Sequence, residues 1–169
     1  MAEPARRSPL AGFAFPTGMK EIPFLTMVNL RAHPRAGLPG PGSVRTEGER
    51  SILWLGPGEF LAVGGGPLPE GSTVDVSAAR TTIELSGSDS RAVLEQGCTL
   101  DLHPRAFRAG NCAATTLARA RVILWQTADD PVYRLLVACS FAGYLAAWLT
   151  DAAASDAAGL VAVSDDRPR

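Results

Sequence analysis

Lysine is almost missing from this chain: of sixteen basic residues only Lys20 is a lysine, and the rest are arginines. Acidic and basic side chains nearly cancel at a formal charge of -1, which leaves no basic excess to hold nucleic acid and no polybasic patch for an anionic membrane. Histidine is scarce too. His33 and His103 are the two in the chain, and each is followed by proline, so few general bases are on offer for a serine or cysteine nucleophile. Cysteine occurs three times, as Cys98, Cys112 and Cys139, with no C-x-x-C spacing. An odd set in small or apolar surroundings reads as reduced, packed thiols in a cytosolic protein rather than a disulfide framework. Long apolar runs are also lacking. Prolines interrupt "MAEPARRSPLAGFAFP", so neither a signal peptide nor a membrane span is expected.

What is present is 46% apolar residues over 169 positions, enough for one domain with a real core. Residues 1–21 carry proline and glycine without a period and read as a mobile or partner-ordered arm. The domain is expected over 22–154, followed by a frayed tail at 155–169. "PFLTMVNLRA" reads as an entering strand, whereas the glycine- and proline-dense "HPRAGLPGPGSVRTEGER" cannot be a helix. "SILWLGPGEFLAV" is two apolar runs about a Gly-Pro-Gly turn, a hairpin carrying Trp54 and Phe60. "TVDVSAARTTIELSG" supplies two more strands, and "CAATTLAR", "RVILWQT" and "VYRLLVA" three others, the last two joined by "ADDP".

Two helices interrupt the strands. "SDSRAVLEQG" has Ser88 as its expected N-cap and Gly97 as a left-handed C-terminal closure. In the second, Ser140 is the expected cap, and Phe141, Tyr144, Leu145, Trp148, Leu149 and Ala152 recur with a helical period, as core or subunit interface. The class this predicts is α+β, a mainly antiparallel sheet covered on one side by two helices.

The candidate chemistry is thin. His103 could pair with Cys98 or Cys112, but a loop histidine beside proline more often serves as a structural hydrogen-bonder. Zinc would need a second close pair of ligands to join Cys98 and His103. "VGGGPLPEG" lacks both phosphate-loop patterns and reads as a flexible connection. Asp75 and Asp101 read as caps of nearby backbone N–H groups, with Arg80 and Arg105 paired to them.

Taken in order, "VNLRA", "ILWLGPGEFLAV", "VDVSAARTTIELSG", "RAVLEQGCTLDLHPRAF", "GNCAATTLAR" and "SFAGYLAAWLTDAAA" resemble the gamma subunit of heterotetrameric sarcosine oxidase over roughly residues 22–154. "GCTLDLHPRAF" is the segment most specific to that family. "VDVSAARTTIELSG" with its following helix is also similar to the N-terminal folate-protein module of the glycine-cleavage aminomethyltransferase. The resemblance implies a cytoplasmic complex that demethylates sarcosine to glycine and passes the one-carbon unit to tetrahydrofolate. FAD, FMN and NAD, the substrate site and the folate site would belong to the alpha and beta subunits, and zinc to the delta subunit.

For this chain the resemblance implies assembly and no catalytic, cofactor-binding or metal-ligating residue of its own. His103, Pro104, Arg105, Phe107, Tyr144 and Trp148 are the expected subunit interface. Family members carry helices in two intervals that are glycine- and proline-rich here, so uncovered sheet surface is expected unless a partner or the N-terminal arm lies over it. Two alternatives stay open: a subunit of a related N-methyl amino acid dehydrogenase, or a free-standing folate-type binder in which Asp75 or Asp101 faces Trp54.

Overall fold

The computed structural model describes residues 6–33 and 37–159, with side chains as far as Ser155. In chain order the elements are β1 (Met19–Ile22), β2 (Met27–Arg31), β3 (Val44–Glu47), β4 (Arg50–Gly56), β5 (Glu59–Val63), β6 (Ser72–Asp75), β7 (Arg80–Ser86), α1 (Ser90–Glu95), β8 (Cys112–Leu117), β9 (Ala120–Ala128), β10 (Val132–Ala138) and α2 (Cys139–Gly159). The strands form two antiparallel five-stranded sheets, one ordered β1-β7-β10-β9-β8 and the other β3-β4-β5-β2-β6. The α+β class expected from the sequence is the one adopted, with a second sheet where one had been expected.

Side-chain parity in the first sheet explains the layering. On β9, Val122 and Leu124 join the helix-side core, while Ile123 and Trp125 face the second sheet. On β10, Tyr133, Leu135 and Val137 point to the helices and Leu136 to the second sheet. A sheet apolar on both faces must lie in the middle, which is why "RVILW" and "LLV" run without polar alternation. Leu145, Ala146 and Leu149 of α2 and Leu94 of α1 close the helix side, all fully buried.

The second sheet meets the first through Met27, Leu53, Leu61 and Val63. Its outer face is not bare: Leu30, Ile52, Phe60 and Ala62 are buried there, with Val28, Ala32, Leu38 and Trp54 packed around them. Part of the cover expected from a partner therefore comes from the chain's own loop at Leu38.

The sheets are joined at one corner. Val44 donates to the Gly110 carbonyl at 2.8 Å, and Cys112 to that of Gly42 at 3.0 Å.

Several boundaries differ from expectation. The N-terminal arm is docked: β1 pairs with β7, Leu10 is buried, and Phe13 and Phe15 pack on the helix-side core. Irregular backbone hides a buried segment from periodicity arguments, because its apolar residues follow no repeat. Residues 1–5 lie outside the described ones. At the other end α2 continues to Gly159, past the boundary placed at 154, and residues 160–169 are again outside the described ones.

Helix α1 begins at Ser90 with Asp89, not Ser88, at its N-cap, and Cys139 rather than Ser140 opens α2. Gly97 does not take a left-handed conformation; what it supplies is room. A Cβ there would sit 2.6 Å from Cζ2 and 2.7 Å from Cη2 of Trp148, so the missing side chain lets α2 approach the exit of α1. Gly64 likewise is no loose link. At φ +93° its Cβ would meet the Glu49 carbonyl oxygen at 2.1 Å, and its N–H donates to the Thr26 carbonyl at 2.9 Å.

Candidate interaction surface

The loop from Asp101 to Phe107 is a compact turn hung from two buried side chains, Leu102 and Phe107. Between those anchors Asp101 Oδ1 accepts from the His103 N–H at 2.9 Å, and His103 Nδ1 accepts from the Arg105 N–H at 3.2 Å. The His103 carbonyl takes the N–H groups of Ala106 and Phe107 at 2.8 and 2.9 Å. A histidine whose ring nitrogen already accepts from the backbone has that lone pair committed to the turn. The imidazole, Pro104 and Arg105 are consequently pushed outward and exposed.

Of the six expected interface residues, these three lie on the surface with Tyr144, Phe107 is part of the core, and Trp148 is half-buried over Gly97. The periodic stripe of α2 is two stripes. Leu145, Leu149 and Ala152 are buried with Ala142 and Ala146, whereas Phe141 and Tyr144 stand 46% and 42% exposed beside them. The sequence merges the two because positions i and i+4 adjoin on a helix whichever way they point.

The other candidates have structural partners. Asp75 Oδ1 accepts from the Ser77 N–H at 2.8 Å, and hydrogen bonds from Ser77 hold the Asp75 carboxyl below its ordinary range. This is the capping expected of it, but the expected ion pairs are not made. Among the described residues neither Arg80 nor Arg105 joins a carboxylate, because both aspartates are already turned onto their own loops.

The three thiols are free. Cys112 is buried under the corner between the sheets, where Sγ donates to the Ser43 carbonyl at 3.2 Å and the Trp54 carbonyl at 3.4 Å. Burial pushes this thiol up to about 11, partly offset by the Trp54 contact, so it is no ready nucleophile. No group of three metal-ligating side chains occurs among the described residues. A folate pocket would need Asp75 or Asp101 beside Trp54. Asp101 belongs to the helix-side loop and Trp54 to the second sheet, while Asp75 ends an exposed edge strand, so the set does not fit that ligand.

One surface feature was not visible in the sequence. A groove of about 870 Å³ runs between the β4–β5 hairpin, the rim of β8 and the start of α2. Arg80, Arg119 and Arg121 line it with Phe141, Thr116 and Glu59. These residues are scattered over half the chain, and only the sheet corner assembles them. A second depression, of about 880 Å³, lies by Arg31, His33 and Ser72 and is wide open. No helix among the described residues is long and apolar enough to cross a membrane.

Comparison with known proteins gives a consistent picture. The family model described as sarcosine oxidase, gamma subunit family matches residues 68–155. A sarcosine oxidase subunit gamma from Arthrobacter sp. is 36% identical over 85% of this chain and 83% of its own. One from Corynebacterium sp. strain P-1 is 37% identical over 79% and 78%. A chain of heterotetrameric sarcosine oxidase from Corynebacterium sp. U-96, solved with pyrrole 2-carboxylate, superposes with a TM-score of 0.79 at 30% identity, covering 89% of this chain and 95% of that one.

Proposed function

We propose, on the premise that the chain belongs to the sarcosine oxidase gamma subunit family, that it is an assembly subunit of a sarcosine-oxidising complex and adds surface rather than chemistry to it. The observation that carries this is the superposition on a chain of a heterotetramer over nearly its whole length. The surface agrees: two large aromatics stand exposed on a helix that is otherwise well packed, as at the anchor of an interface.

Its partners would be the alpha, beta and delta subunits, in the cytoplasm, with His103, Pro104, Arg105, Tyr144 and the exposed edge of Trp148 among the contacts. Phe107 would hold that surface from inside. The flavins, NAD, tetrahydrofolate and zinc implied by the family would be carried by those partners.

The test is to recover the tagged chain from its own host, weigh the eluate under native conditions and record its visible spectrum. A large flavin-yellow complex that oxidises sarcosine is the expected result. A colourless monomer would sink the proposal, and turnover of another N-methyl amino acid in place of sarcosine would reassign the substrate.

A further inference from the structure

The arginine groove is the feature the subunit reading leaves unused. Arg119 and Arg121 are exposed, Arg80 is half-buried, and none of the three forms an ion pair with a carboxylate of the described residues. Glu59 is the one acidic side chain in the lining, and it accepts from Asn29 Nδ2 at 3.3 Å. The local balance of three positive charges against one negative contrasts with a chain whose formal charge is -1.

Two structural details show that the groove is held in shape. Arg119 sits in the turn between β8 and β9, whose Ala118 adopts φ +51°, a conformation uncommon for a residue with a side chain. The turn is fixed because the Ala118 N–H donates to the Gly97 carbonyl at 3.0 Å and Cys98 bridges to Leu117. Also, β8 is the edge strand of its sheet, and between the corner at Cys112 and the Cys98 bridge at Leu117 its rim over residues 113–116 is open to an added segment.

The geometry points to this groove as the docking site for an extended acidic segment of a partner subunit, which lies along β8 with its carboxylates on Arg80, Arg119 and Arg121 and an apolar side chain against Phe141. The inference rests on the subunit reading above and says which surface the partner grips. Charge complementarity chooses the occupant: a second copy of a chain that is itself near neutral supplies no acidic strip of this length among the described residues, whereas guanidinium forks match carboxylates in pairs.

Two sets of variants test it in the host complex. Arg119→Glu with Arg121→Glu reverses the charge at exposed positions, and recovery of the flavin-bearing complex is expected to fall at least about ten-fold. Arg45→Glu, at an exposed position of β3 that does not line the groove, serves as a comparison. Arg119→Lys with Arg121→Lys keeps the charge and lets carbodiimide link the introduced amines to carboxylates in direct contact. Lys20 is the sole native lysine and lies 3.0 Å from Glu84, so the link it forms stays within the chain and is told apart by its peptide masses.

Mass spectrometry should find the introduced lysines joined to aspartates or glutamates of one acidic stretch in a partner chain. An intact complex with the charge-reversed pair, or links only to a second copy of this chain, overturns the docking site and leaves the subunit reading standing. If the unaltered chain recovers no flavoprotein, the subunit reading fails and the docking site with it. Circular dichroism melts of the reversed pair within a few degrees of the parent exclude misfolding as the cause, and the lysine pair gives an independent answer should it melt early.

Discussion

Replacing Gly97 by alanine adds one methyl group at the most crowded junction of the helix side. The new Cβ would lie 2.6 and 2.7 Å from Cζ2 and Cη2 of Trp148 and 3.2 Å from the Ala118 nitrogen. Carbon atoms pack at roughly 3.5–4.0 Å, so Trp148 or the whole of α2 must move by the better part of an ångström. Overpacking of this kind costs about 1–3 kcal/mol, offset by a few tenths because alanine restrains the unfolded chain more than glycine. A net loss of about 1–2 kcal/mol follows.

The diagnostic is the partner. Trp148→Phe removes the two atoms that clash, so in that background Gly97→Ala should cost about 1 kcal/mol less, the remainder coming from the Ala118 contact. Urea unfolding of the purified chain, followed by fluorescence for the parent, both single variants and the double, measures the coupling. Equal costs of Gly97→Ala in the two backgrounds would refute the claim that this glycine exists to admit the indole.

Three further outcomes follow from single contacts. Gly64→Ala should cost at least about 2 kcal/mol, since it combines a left-handed φ with a carbonyl 2.1 Å from the new Cβ; Gly65→Ala meets nothing within 4 Å and should be neutral, and similar melting temperatures for both would show that the loop gives way. At pH 8 the thiol of Cys112, pushed to about 11, is ionised in only about one molecule in a thousand. Titration with a disulfide reagent should therefore count two fast thiols in the native chain and a third only in urea, and three equal rates would contradict the burial of Cys112.

Glu84, 12% exposed, receives Lys20 and Arg134 at 3.0 Å each. Burial raises this carboxyl, but the bonds from Lys20 and Arg134 outweigh it and leave it lowered. A lowered folded value stabilises above the unfolded range near about 4.3 and fades as the pH falls through it. Glu84→Gln should accordingly cost about 1 kcal/mol at pH 7 and progressively less toward pH 3, and a cost that grows on acidification would reverse the sign.

How much of this was legible in the sequence depended on whether a residue's neighbour is near in the chain. The β4–β5 and β9–β10 hairpins were readable because turn chemistry and alternation are local, and "GCTLDLHPRAF" gave the family before any contact was known. The roles of Gly97, Gly64 and the N-terminal aromatics were not readable, since each is defined by atoms distant in the chain: Trp148, Glu49 and the helix-side core. A glycine kept for a close approach and one kept for a left-handed turn look alike in a string of letters.

The same distinction bears on function. Its most recognisable segment, Asp101 to Phe107, commits Asp101 Oδ1 and His103 Nδ1 to its own turn and Leu102 and Phe107 to the core, and so presents the imidazole edge, Pro104 and Arg105 outward. The groove, by contrast, is written in arginines separated by about forty residues and made adjacent by a sheet corner. In an assembly subunit this division is what physics would favour: a locally encoded turn survives without its partner, while a surface built from remote residues exists only once the fold is complete. Docking through the groove would then make partner capture conditional on correct folding of both sheets.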